Sequence, residues 1–226
     1  RVGVRGDRAA ARARHRPHAP VSDPASLLDE VTGDGGYVVG RTLTQGLAPG
    51  EVLDGVEFED CRFERSVLEG AVLRGCTFTD CVFTGSNLNR VDLSGSRFVD
   101  CRFVDCTALA VAWTRAAGAA LSARPWDFER CRLDLGSFQE GAIAGSRLIA
   151  CSLREVDFRG GDAQRVDFSG SDLAGAVFVD TDLRGASLVG ADGYTFDPAQ
   201  NRVRGLRVEV ASAVGLLGAM GMVVDP

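Results

Sequence analysis

The feature that most constrains the fold is a five-residue period from Leu53 to Leu188, in which nearly every fifth residue is Leu or Phe. Eleven of the twelve Phe residues lie in this slot, and all seven Cys residues lie two positions before it. Neither a helix with about 3.6 residues per turn nor a strand with a period of two produces this spacing. The period therefore predicts a repeat architecture, with each five-residue unit forming one side of a coil.

A higher period of twenty residues indicates that four such units close one coil. If coils stack like parallel strands, about 4.8 Å apart, residues twenty apart lie one above another inside the coil. We therefore expect one aromatic ladder through the whole core, interrupted only at Gly118. Its members are Phe58, Phe78, Phe98, Phe138, Phe158 and Phe178. A neighbouring column contains mostly Leu, with Trp113 at its centre.

The residue before the centre of each unit is often Asp or Asn. Examples are Ser86-Asn87-Leu88, Ser171-Asp172-Leu173 and Thr181-Asp182-Leu183. Over roughly residues 51–193, the chain resembles the pentapeptide-repeat family, whose consensus is A-(D/N)-L-x-x. The resemblance implies an all-β fold, a right-handed quadrilateral parallel β-helix with a small C-terminal helical cap or dimer module.

Four segments follow from the pattern. Residues 1–26 are rich in Arg, Ala and Pro without periodicity, and we expect a disordered basic tail. Residues 27–50 are expected to form an N-terminal cap and an irregular first coil, and residues 51–195 the β-helix. Residues 196–226 are expected to form a C-terminal cap with a helix at about 211–220.

The stretch 107–127 is irregular, because the centres at 113, 118 and 123 become Trp, Gly and Ala. In one interpretation the coil persists, and Trp113 and Trp126 fill space left by smaller neighbours. In the other, a short Ala-rich helix bulges outward. The five-residue slot resumes at Phe128, which favours the first interpretation and an unchanged column register.

Several function classes lack the residues they need. The two His residues, His15 and His18, both lie in the basic tail, so a catalytic Ser/His/Asp or Cys/His group cannot form along the repeat. The Cys spacing follows the repeat rather than a C-x-x-C zinc pair, and no phosphate-binding glycine motif follows a strand. We therefore predict no enzymatic activity, metal, cofactor or small-molecule substrate.

The location follows from similar arguments. No apolar run approaches the length of about 20 residues that spans a membrane, and the N-terminus has no secretory h-region. The seven Cys residues occupy one inward slot, which favours buried, reduced thiols. We expect a cytoplasmic protein that does not contact membranes.

The surface of the repeat is acidic, with 23 acids against 15 Arg over residues 51–196. One outward column contains Asp60, Asp80, Asp100, Glu140 and Asp180 and is the candidate partner-binding surface. Stacked carboxylates repel one another, so stability alone does not favour them. The alternative is structural: each Asp accepts a backbone N–H at its corner, and the Asp residues just before the centres have a similar role.

The C-terminal segment has more apolar residues than a surface helix needs. The apolar side chains of this helix cover the last coil, form a twofold dimer contact, or do both. They are Val214, Leu216, Leu217 and Met220. The segment, including Phe196-Asp197-Pro198, resembles the C-terminal module of the mycobacterial fluoroquinolone-resistance pentapeptide proteins. That resemblance implies a homodimer.

The same resemblance implies a DNA mimic that interacts with DNA gyrase or another type II topoisomerase and confers resistance to quinolones or other topoisomerase poisons. The alternative is a protein–protein interaction scaffold that binds its partner through a local patch such as Trp113 to Trp126. Direct nucleic-acid binding is not expected, because only the tail is basic.

Overall fold

The computed structural model of the chain describes residues 26–33, 35–117 and 126–223. The tail predicted to be disordered, residues 1–26, lies outside these ranges except for Ser26. Residues 118–125 of the irregular stretch also lie outside them. Among the described helices, none is long and apolar enough to cross a bilayer.

The described residues form a right-handed, four-sided parallel β-helix, which confirms the predicted fold. Short strands alternate with corner residues of positive φ. The strands are β1 (Tyr37–Val39), β2 (Thr42–Leu43), β3 (Val52–Asp54), β4 (Glu57–Glu59), β5 (Arg62–Glu64), β6 (Val72–Arg74), β7 (Thr77–Thr79), β8 (Val82–Thr84), β9 (Arg97–Val99), β10 (Arg102–Val104), β11 (Asp127–Glu129) and β12 (Arg147–Ile149). The helices are α1 (Leu27–Gly33), α2 (Val210–Ala219) and the short 3-10 helices Trp113–Arg115 and Pro198–Gln200.

Four faces run along the β-helix, named here in the order in which the chain visits them. Face A contains β1, β4, β7 and β9, and face B contains β2, β5, β8, β10, β11 and β12. Face C consists of single bridges that begin with Val67↔Asn87, and face D begins with β3 and β6. Face B has nine successive rungs between Thr42 and Arg207. At about 4.8 Å per step, the rod is roughly 38 Å long.

Parallel stacks of aromatic rings fill the interior. On face A, the ring centroids of Phe58 and Phe78 lie 5.0 Å apart, and those of Phe78 and Phe98 lie 4.7 Å apart. On face D, Phe158 stacks on Phe138 at 5.5 Å and on Phe178 at 4.9 Å. The stacking predicted for each of these two groups of three is confirmed.

The expectation of one continuous ladder is wrong, because the register changes in the irregular stretch. Arg102 pairs with Asp127, a step of 25 residues where the other rungs of face B take 20. Five extra residues preserve the slot but move every later column back by one face. Phe138 therefore stacks on Trp113 of face D, at 6.0 Å, and not below Phe98 on face A.

The two Trp residues fill the core at this change of register. Trp113 and Trp126 are 1% and 2% exposed, and their rings meet edge-to-face at 5.0 Å. Thr107 and Ala112 still bridge to the next coil, at Arg132 and Ser137. The coil thus continues through residue 112 with both indoles inside, as in the first interpretation, although the register does not stay unchanged.

Both ends of the rod carry a helix. At the N-terminal end, α1 buries Leu27 and Val31 over the first coil, and the Leu27 N–H donates to the Gly46 carbonyl at 3.0 Å. At the other end, α2 follows the rung at Arg207 and buries only Leu216. The predicted helix at about 211–220 corresponds to α2.

Candidate functional site

Aspartates directly before a buried centre have a structural role in the turns of the β-helix. Six of them accept the N–H of the residue two positions later, at 2.9–3.2 Å: Asp92, Asp157, Asp162, Asp167, Asp172 and Asp182. Such side-chain to backbone bonds stabilise a turn. These carboxylates therefore act structurally, in agreement with the structural interpretation of their slot.

Several carboxylates along the rod are also neutralised by Arg. The Arg159 guanidinium lies 2.6 Å from Asp157, and the hydrogen bond lowers the pKa of that carboxyl. Arg184 has the same effect on the pKa of Asp182, at 2.7 Å. Asp105 pairs with Arg130 at 2.8 Å, which lowers its pKa too. Acids in such pairs contribute little free charge for a partner.

Four of the acids at the corners have no such Arg partner among the described residues. Asp60, Asp80, Glu140 and Asp180 are exposed and have φ between 49° and 55°. Their side chains form no hydrogen bond or ion pair with any described residue. The structural alternative, in which a corner Asp accepts a backbone N–H, therefore does not apply to these four. Asp100 shares the exposure and the positive φ but has an interaction partner.

The corner acids do not form the single predicted column. Asp60, Asp80 and Asp100 stack at the corner between faces A and B. Because of the five extra residues, Glu140 and Asp180 lie at the neighbouring corner, between faces D and A. The corner below Asp100 continues with Gly145 and Arg165. The acidic stripe is therefore in two parts, offset by a quarter turn around the rod.

Sequence reasoning missed two further acids on face A. Glu57 and Glu59 project outward from β4 beside Asp60 and are exposed. Glu59 accepts a hydrogen bond from the Tyr37 hydroxyl at 2.5 Å. The outward slots on both sides of a buried centre were the signal that could have identified them.

The C-terminal helix exposes most of its apolar residues. Val214, Leu217 and Met220 are 47%, 36% and 44% exposed, and α2 contains no charged side chain. Leu216 is the exception among the four predicted interface residues, because it packs into the end of the core at 8% exposure. Leu216 therefore covers the last coil, and the exposed apolar surface of the helix consists of the other three residues.

The small inward slot makes hydrogen bonds that the sequence did not reveal. The Ser86 hydroxyl accepts the N–H of Ser66 at 3.1 Å and donates to the Phe63 carbonyl at 3.0 Å. The Cys131 thiol makes the equivalent bonds, to the Cys106 N–H and the Phe103 carbonyl, both at 3.4 Å.

All seven Cys residues are buried and free. Burial raises the pKa of the thiols of Cys61 and Cys76. Thiols with raised pKa values are poor nucleophiles and metal ligands. In the described ranges, no cluster of His, Cys, Asp and Glu side chains could hold a metal ion.

Comparison with known families identifies the repeat. Residues 56–134 match the family model described as a pentapeptide repeat region, and residues 151–190 match the model of pentapeptide repeats in eight copies. Together these matches cover more than half of the 226 residues. The chain belongs to the pentapeptide-repeat proteins.

Solved structures share the repeat at low identity. A trypsin-treated variant of QnrB1, a plasmid-mediated fluoroquinolone resistance protein, is 17% identical, with a TM-score of 0.42, over 84% of this chain and 97% of that chain. HetL, involved in regulating heterocyst differentiation in the cyanobacterium Nostoc sp. strain PCC 7120, is 15% identical, with a TM-score of 0.34, over 80% and 92%. At these values the likeness does not indicate what this chain binds. No curated protein sequence matches the chain significantly.

Proposed function

We propose that this chain is a non-enzymatic, cytoplasmic DNA mimic that binds DNA gyrase or another type II topoisomerase. The observation that carries the proposal is the set of exposed corner carboxylates without side-chain partners, at Asp60, Asp80, Glu140 and Asp180. They repeat along a rigid axis, as the phosphates of a duplex do. A basic DNA-binding channel would attract such a stripe.

The charge of the rod favours a local stripe over mimicry by total charge. Duplex DNA carries about one charge per 1.7 Å of axis, or roughly 22 charges over the length of this rod. The acids and Arg of residues 51–196 leave a net charge of only −8. Binding must therefore depend on where the unpaired carboxylates lie. Arg165 interrupts the stripe at the corner below Asp100, and Arg65, Arg90 and Arg130 place positive charges at the two corners outside the stripe.

The proposal includes a homodimer formed through α2. Val214, Leu217 and Met220 give this helix an exposed apolar surface at the end of the rod, and removing such a surface from water favours association. Two rods joined end to end would reach roughly twice 38 Å, or about two turns of B-DNA. A twofold pair of acidic stripes would match the two halves of a symmetric enzyme.

The test is a supercoiling assay with purified gyrase at rising ionic strength. We expect inhibition at low salt that weakens as salt screens the corner carboxylates. The double variant Asp60→Arg plus Asp80→Arg should be at least tenfold less potent. It should still fold, because Arg occupies other corners at the same φ. A matched control, Asp54→Arg plus Asp192→Arg, changes the net charge equally away from the stripe.

A second readout addresses drug resistance. If the rod occupies the DNA channel, it should reduce the DNA cleavage that a fluoroquinolone stabilises on gyrase. The absence of inhibition, protection and binding at low salt would overturn the proposed function. Equal loss of potency in the double variant and its control would overturn the role of the stripe.

The alternative function is an interaction scaffold, favoured by one specific observation. Leu135 is 57% exposed at a corner with φ 62°, a conformation that a bulky residue adopts at a cost. Folding does not explain Leu there, whereas an apolar partner would. The patch first suggested for this function, Trp113 to Trp126, is wrong because both indoles are buried. Leu135→Asn should abolish partner capture by a scaffold and leave gyrase inhibition unchanged.

A further inference from the structure

The first rung of face D has an open edge. β3 pairs with β6 on one side, with Val52 opposite Val72 and Asp54 opposite Arg74. On its other side, no backbone group of the described residues bonds to β3. An unpaired parallel edge offers a row of N–H and C=O groups to any extended segment that reaches it.

The hydrogen bonds of later rungs on the same face show which backbone groups of β3 lack a partner. The Val72 N–H donates to the preceding coil, at Glu51 O, 2.9 Å away. The N–H groups of Leu73 and Gly75 donate to the following coil, at 2.7 and 3.0 Å. By the same pattern, β3 presents the Val52 N–H and the carbonyls of Val52 and Asp54 toward the N-terminal end of the rod.

A groove lies between α1, the Gly35–Gly36 turn and β3. It has a volume of about 390 Å³, and its lining includes Leu28 and Val31 of α1, Leu53 of β3 and Val56. Val31, Leu53 and Val56 are buried, so the floor of the groove is apolar, while Val52 and Asp54 are exposed at its rim. Groove and open edge together have the two parts of a strand-addition site: backbone hydrogen bonds for affinity and a pocket for one side chain.

We propose that this edge binds an extended peptide segment of another protein as an additional parallel rung. The segment has a β-branched, an apolar and a basic residue in succession. The pairing of β3 with β6 supports this choice, since Val72, Leu73 and Arg74 are the residues that already match Val52, Leu53 and Asp54. Arg74 lies 3.9 Å from Asp54, whose carboxylate is exposed and also open to a second cation from the other side. The site is independent of the proposed function, because it lies at the end of the rod and not on the corner stripe.

The probe is the peptide acetyl-Ala-Val-Leu-Arg-Gly-amide, which has the sequence of residues 71–75, titrated into the full chain by calorimetry or NMR. We expect saturable binding with shifts of the amide signals of Val52 and Asp54. N-methylation of Leu and Gly in the peptide removes the two donors that face β3 and should weaken binding at least tenfold. N-methylation of Val and Arg, whose N–H groups point away from β3, is the matched control and should have little effect.

Variants of the protein complete the test. Asp54→Arg should weaken the peptide at least fivefold, whereas Asp192→Arg, the same charge change at the other end of the rod, should not. Absence of binding, or equal loss with both methylated peptides, would overturn the proposal. Self-association that Asp54→Arg abolishes would assign the edge to a second copy and would also overturn it.

Discussion

At the scale of single residues, the small inward slot limits volume and also satisfies the backbone. In this slot, Cys131 and Ser86 each accept an N–H from the preceding coil and donate to a carbonyl of that preceding coil. A buried N–H without a partner is costly, so these side chains stabilise the contact between coils. The sequence explains why the slot is small, and the structure shows that a small polar side chain there can also bond to the neighbouring coil.

Replacing Cys131 tests this role. Cys131→Ala leaves the Cys106 N–H without its sulfur partner and should lower the free energy of unfolding by about 1–3 kcal/mol. Cys131→Ser keeps an acceptor and a donor in the position where Ser86 works, and it should cost clearly less. Urea denaturation of both variants measures the difference. If Ala and Ser cost the same, the hydrogen bonds of the slot do not stabilise the coil.

At the scale of elements, neighbouring residues of α2 have two different roles, because one covers the end of the rod and others form an exposed apolar face. Leu216 faces the rod and is buried, whereas Leu217 and Val214 are exposed on a helix without charges. A helix that only caps the rod would carry polar residues on its outer face. The exposed apolar face is the physical reason to expect a second copy of the chain there.

Substitutions in α2 distinguish cap from dimer contact. Val214→Glu plus Leu217→Glu places two charges in the proposed interface and should shift the protein from dimer to monomer in sedimentation experiments. Leu216→Ala should instead lower the free energy of unfolding by roughly 2 kcal/mol or more, because it opens a cavity. A wild-type chain that is monomeric at high concentration would contradict the dimer.

At the scale of the whole molecule, ion pairs along the rod make its stability depend on pH. The pKa values of Asp157 and Asp182 are lowered in the folded state by Arg159 and Arg184. The unfolded chain therefore binds protons more readily than the folded one as the pH falls. The stabilisation is complete above the ordinary Asp pKa of about 3.9 and is lost as the pH falls through the lower folded value.

One Arg substitution measures this contribution. Arg184→Gln should lower the urea midpoint at neutral pH, because Asp182 loses its partner at 2.7 Å. The difference from the wild type should shrink as the pH falls through the lowered pKa of Asp182, where the carboxylate becomes protonated. Arg204→Gln is the control, since Arg204 forms no ion pair with the residues that the structure describes. A difference that does not depend on pH would contradict the assignment.

The sequence predicted the β-helix and the stacked Phe residues, because every unit repeats the same inward slot. It did not predict the change of register, because an insertion of five residues leaves that slot intact. The pairings of Arg102 with Asp127 and of Thr107 with Arg132 reveal it. The candidate site failed for the same reason: Asp100 and Glu140 fall in one column of the sequence and at two corners of the rod. The open edge of β3 depends on where α1 lies, which no periodicity encodes.

The five-residue unit of the repeat has an evolutionary consequence. Gaining or losing one five-residue unit keeps a large apolar residue in every inward slot. It also rotates all later columns of the rod by a right angle about the long axis. One half of a binding surface can thus rotate about the axis of the rod relative to the other half, while the packing of the core barely changes. Insertions in multiples of five residues would therefore change the binding surface, and with it the partner, at little loss of folding stability.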